Sequence, residues 1–141
     1  MRSVNHARVF LSALAGGVVW FVWSSVVNLF GIGGRYAELQ AAGIVLQEPR
    51  YPVFAGIWIV MLFLLSYIIS WLYAGLRACY GPGILTALAL GLLVGFLAGF
   101  PMNFALATWF PISRMFPLWW TFDLWLGSVL AALTAAWVYR D

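Results

Sequence analysis

Along this chain, apolar positions come in four long blocks, and the polar ones gather between them. The blocks run from about Arg8 to Phe30, from Pro52 to Leu76, from Pro82 to Thr108 and from Pro117 to Tyr139. Each holds about 23–27 residues, and roughly 20 apolar residues in a helix cross the hydrocarbon of a bilayer. None alternates with a period of two, so helices are predicted rather than barrel strands. Gly31, Gly33 and Gly34 are predicted to stop the first helix, and Gly81-Pro82-Gly83 to turn the second into the third. The segment from Gly31 to Tyr51 is long enough for a short surface helix, whereas the other two connections are tight. The expected fold is all-α: four transmembrane helices in an up-down-up-down bundle, forming one integral membrane domain over 1–141. Arg2, His6 and Arg8 followed by Ala13-Leu14-Ala15 mimic a cleaved signal. The apolar run continues well past that point, so a retained first span is expected.

Composition names the solvent. The chain is 65% apolar and 8% charged, against about 45–50% and 25% for soluble domains, which excludes an ordinary soluble protein. In 141 residues, four spans leave no room for a separate soluble domain. The basic residues are all Arg, a bias that fits high-GC coding and suggests a bacterial inner membrane. The charges are too scattered for a nucleic-acid partner. Arg2, Arg8, Arg77 and Arg140 against Arg35, Arg50 and Arg114 favour both termini on the cytoplasmic side. Cys79, the single cysteine, has no internal disulfide partner.

Within the third block, Gly83, Ala87, Gly91, Gly95 and Gly99 recur every four residues and lead to Asn103. Such a row lies on one helix face and lets another backbone come close, as helices in lipid require. The fourth block has its own row: Asp123, Gly127, Ala131 and Ala135. Antiparallel pairing of the two blocks puts Asp123 and Asn103 at similar depth, so a tight hairpin with these two residues facing each other is expected. The strip could instead face a second protomer or another protein. Pro101 should bend the third helix beside Asn103.

Asp123 is the one acidic residue expected inside the membrane, and there it must be protonated, paired or wet. Asn28, Asn103, Arg114 and Thr121 are its candidate partners. This group reads either as a structural clasp or as a polar pocket that binds a ligand or moves a proton. Trp23, Trp58, Trp109, Trp119, Trp120 and Trp125 cluster in the same half of the membrane, as headgroup anchors or as a patch for a partner. The only histidine is His6, no metal-ligand cluster is visible, and the serines of the spans have no histidine to act as base. No cofactor and no enzymatic activity are expected.

Two segments matter for resemblance: the Trp20-containing first block ending in Asn28-Leu29-Phe30-Gly31, and Pro117-Leu118-Trp119 opening the last. In these the chain resembles a family of small four-span bacterial membrane proteins of unknown function, which implies the fold and no activity. Leu11-Ser12-Ala13-Leu14-Ala15 echoes Leu85-Thr86-Ala87-Leu88-Ala89, and Trp71-Leu72-Tyr73 echoes Trp137-Val138-Tyr139, as in a duplicated helical hairpin. The functional expectation is a non-catalytic membrane protein acting as an accessory or packing subunit of a larger complex or homo-oligomer. The alternative is a small transporter or ligand-binding protein with its site around Asp123.

Overall fold

The computed structural model describes residues 4–139, so Arg2, Arg140 and Asp141 of the charge pattern lie outside the described residues. Helix α1 (His6–Val26) continues through a π-helical stretch, Val27–Ile32, into the short helix α2 (Gly33–Ala41). Three long helices follow: α3 (Phe54–Tyr80), α4 (Ile84–Trp109) and α5 (Met115–Val138). Four helices are thus long and apolar enough to cross a membrane, and no strand occurs among the described residues. The expected all-α four-helix bundle is the fold.

The glycines at 31, 33 and 34 do not stop the first helix. A glycine ends a helix by taking a left-handed conformation, whereas Gly33 has helical angles (φ −55, ψ −48). Left-handed glycines occur instead at Gly43, after α2, and at Gly81 and Gly83, which turn α3 into α4 as expected. Gly33 serves the π stretch: a Cβ there would lie 2.7 Å from the carbonyl oxygen of Asn28. The continuous helix from His6 to Ala41 has 36 residues, about 54 Å at 1.5 Å per residue. A bilayer core of roughly 30 Å cannot contain that length. The α2 segment, which buries none of its residues, is the part left to reach beyond it.

Around the bundle, α1 packs on α3 and α5, α4 packs on α5 and α3, and α1 and α4 do not touch. Small side chains set these approaches. A Cβ on Gly91 would sit 2.6 Å from the Cα of Val129, one on Gly95 would strike Ser128 and Trp125, and one on Gly99 would lie 3.3 Å from the Thr121 carbonyl oxygen. The α4 strip is therefore filled by α5. Ser128 Oγ locks the contact by donating to the Gly91 carbonyl at 2.8 Å, and Trp125 Nε1 donates to Leu92 O at 3.1 Å. In lipid, where apolar contact adds no solvent-driven attraction, such fits and interhelical bonds hold helices together.

The small-residue row of α5 does not meet the row of α4. Gly127 receives the indole of Trp20, a fully buried α1 side chain, in the space its missing Cβ would occupy. A Cβ on Gly16 would lie 3.3 Å from the Ala131 carbonyl oxygen. Residues 16, 20 and 24 of α1 thus run antiparallel along 131, 127 and 123 of α5. Because α5 has two close neighbours, it presents two smooth faces, and the one carrying Asp123 is turned to α1.

At the end of the bundle that holds the termini, two buried tyrosines act alike. Tyr73 at the end of α3 accepts the N–H of Gly83, which caps α4, and Tyr139 at the end of α5 accepts the N–H of Asn5, which caps α1 (3.1 Å each). Arg77 Nη1 also donates to Tyr139 O at 2.7 Å, with the guanidinium 5.0 Å from the ring centroid. The sequence echo between 71–73 and 137–139 therefore has a matching spatial arrangement.

Candidate functional site

Asp123 sits in the third turn of α5, 3% exposed and directed at α1. Ser24 Oγ donates to its Oδ2 at 2.7 Å, and Trp23 Nε1 donates to its backbone carbonyl at 3.2 Å. Oδ1 has no hydrogen-bond partner among the described residues. The expected facing pair of Asp123 and Asn103 is not formed. Asn103 Nδ2 donates to Gly99 O, one turn back in its own helix, at 2.8 Å. Similar depth had suggested the pair, but depth does not fix the angular position, and the α5 row carrying Asp123 is rotated toward α1.

The two residues nevertheless line the same cavity, of about 290 Å³. Asn28 from the π stretch, Tyr36 from α2, and Phe54 and Trp58 from α3 form one side of it. Asn103 from α4, with Trp120, Asp123 and Leu124 from α5, forms the other. The π stretch and helices α2 to α5 all contribute to its lining. Asn28 Nδ2 donates to Ser24 O at 2.8 Å, tying the π stretch to the residue that holds the carboxylate. A second hollow of about 250 Å³ lies alongside between α1 and α3, sharing Asn28, Phe54 and Trp58 and extending past Phe21, Ile59 and Leu62.

Two expected partners are elsewhere. Arg114 is exposed at the start of α5 and lines neither hollow. Thr121 Oγ1 donates to Pro117 O within its own helix. The helix-packing residues Gly91, Gly95 and Gly99 face α5, while Gly127 and Ala131 face α1. Pro101 is exposed and α4 continues through it.

Sequence reading missed Ser24, Tyr36, Phe54 and Leu124. Ser24 had a readable signal: it stands four residues after Trp20 and four before Asn28, so one α1 face offers a large ring, a hydroxyl and an amide in order. Tyr36 had none, because placing it required knowing that the helix continues past Gly31. The tryptophans divide between roles. Trp58 and Trp120 line the cavity, Trp23 and Trp125 bond across helices, and Trp109 is 82% exposed on the outside.

Chemically, the site is a carboxyl group whose Oδ1 is buried without a partner, two primary amides and four aromatic side chains, in a hollow that no basic side chain lines among the described residues. Among the described residues no three His, Cys, Asp or Glu side chains are grouped to hold a metal ion. No protein-family model, curated protein or solved structure matches this chain. The resemblance to small four-span bacterial proteins therefore rests on its sequence features alone.

Proposed function

We propose that this is a non-catalytic integral membrane protein that binds a small ligand in the Asp123 cavity, as a carrier or a receptor. It is oriented with both termini in the cytoplasm of a bacterial inner membrane. One observation carries the reading: Asp123, whose Oδ1 is buried with no hydrogen-bond partner among the described residues, lines a hollow large enough for a small molecule. Leaving a buried carboxyl oxygen unpaired is costly. A clasp built only for stability would close both oxygens, and here Ser24 closes one. The π stretch at Asn28 fits the same view, since such insertions recur at functional sites.

The reading requires the cavity to be reachable. In a Cys79→Ser background, Asn103→Cys should react with methyl methanethiosulfonate in the folded protein, while Ser128→Cys, buried but outside both hollows, should not. Equal protection of the two thiols would sink the proposal and leave the clasp.

An accessory-subunit role retains one specific support. Phe96, Phe100 and Phe104 stack in sequence along the exposed face of α4, with centroids 5.1 and 5.7 Å apart. That ladder is a surface on which another membrane helix could seat. The glycine strip no longer argues for a partner, because α5 fills it.

A further inference from the structure

We infer that the ligand of the Asp123 cavity is a lipophilic organic cation, an aryl- or alkylammonium that enters sideways from the bilayer between α1 and α3. This rests on the ligand-binding reading and names its chemical class. Three independent features point to it.

The first is charge. Ser24 takes one carboxylate oxygen of Asp123, the other has no donor, and no basic residue lines the cavity. Asn28 and Asn103 each direct an amide N–H at a backbone carbonyl, to Ser24 O and Gly99 O. Both amides are neutral, so Asp123 supplies the only charge of the lining among the described residues. An anion would meet a carboxylate with nothing to offset it, and a neutral molecule would leave its charge unbalanced. A positive group balances it.

The second is the wall. Tyr36, Phe54, Trp58 and Trp120 bring four aromatic side chains to the lining that holds Asp123. Aromatic faces attract cations through the ring quadrupole, most strongly where water is excluded, and cages of this kind recognise quaternary ammonium groups.

The third is the route. The adjoining hollow between α1 and α3 is lined mainly by apolar side chains, Phe21, Ala55, Ile59 and Leu62 among them, with Ser24 and Ser25. It shares Asn28, Phe54 and Trp58 with the Asp123 cavity. An apolar tail would lie in this groove, with the ammonium at Asp123. A fully hydrated inorganic cation has no use for such a path.

The test uses the full chain in maltoside micelles and three probes of one shape: benzyltrimethylammonium, its uncharged carbon isostere neopentylbenzene, and benzylsulfonate. Binding is read by tryptophan emission and by melting temperature. The ammonium should bind and the other two should not. Asp123→Asn, which keeps an acceptor for Ser24, should weaken ammonium binding roughly 30-fold or more, the usual loss when one member of a buried charge pair is removed. Trp120→Leu retains the carboxylate and should weaken it by about threefold or more. It also decides the matter if the Asp123 variant does not fold. Ammonium binding that both variants leave unchanged would overturn the proposal. Preferential binding of the neutral or anionic probe, competed by filling the cavity with Leu124→Trp, would overturn the cation while keeping the ligand site. Binding of none of the three, together with an unreactive Asn103→Cys thiol, would remove both.

Discussion

At the scale of single residues, the weight falls on a few contacts where a side chain uses space another has given up. Trp20 lies where a Cβ of Gly127 would be, so Gly127→Ala must displace a buried ring and should cost about 1–3 kcal/mol of stability. Gly56 and Gly75 have open space around their missing Cβ atoms. Gly56→Ala and Gly75→Ala should be neutral or stabilising by up to about 1 kcal/mol, since alanine is the better helix former. Thermal unfolding of the three variants in the same detergent checks the contrast, and equal losses would contradict the packing described. Ser24→Ala removes the hydrogen-bond donor to the Asp123 carboxylate and should destabilise by about 1–3 kcal/mol. Asp123 itself was legible as the misplaced charge, because a single acidic residue stood inside an apolar block. Its partner was not, because a serine in a membrane helix is as often bonded to its own backbone, as Ser25 is to Phe21 O.

At the scale of elements, the four long helices could be read from hydropathy because each is apolar around most of its circumference and ends at polar or turn residues. What could not be read was the rotation of each helix about its axis. An all-apolar circumference carries no stripe to mark the buried face, so the small-residue rows were the only markers, and α5 has two faces to satisfy. The end of α1 was misread for a related reason. Glycine permits a stop but does not impose one, and the chain around Gly31 uses it for close approach: a Cβ there would lie 3.0 Å from the Trp119 ring. Gly33→Ala tests this element directly. Its Cβ would meet the Asn28 carbonyl, so the π stretch should relax and move Tyr36 from its place 5.3 Å from the Phe116 ring centroid. Weaker benzyltrimethylammonium binding with the Ser24–Asp123 contact intact is the expected result, and unchanged affinity would detach α2 from the site.

At the scale of the whole molecule, the bundle has two unlike ends. The end with the termini is closed by Tyr73, Arg77 and Tyr139, whose bonds join helix ends around the ring. The opposite end is held apart by aromatic side chains and contains the cavity. The sequence offset relating Tyr73 to Tyr139 also relates Phe54 to Trp120 and Trp58 to Leu124, so the hollow is lined by equivalent positions of α3 and α5. The position in α3 at that offset from Asp123 is Ile57, so the carboxylate stands on the α5 side alone. With an even number of crossings both termini share a side, and reporters fused to each should give the same compartment. Reporters in opposite compartments would contradict four spans.

Whether the hollow beside Asp123 holds a cation is tested by ligand protection of a thiol placed in its wall. In Cys79→Ser/Asn103→Cys protein, saturating benzyltrimethylammonium should slow modification by methyl methanethiosulfonate roughly tenfold or more, and adding Asp123→Asn should abolish that protection. Modification at the same rate with and without the ammonium, in protein that still binds it, would place the ligand elsewhere and contradict the account.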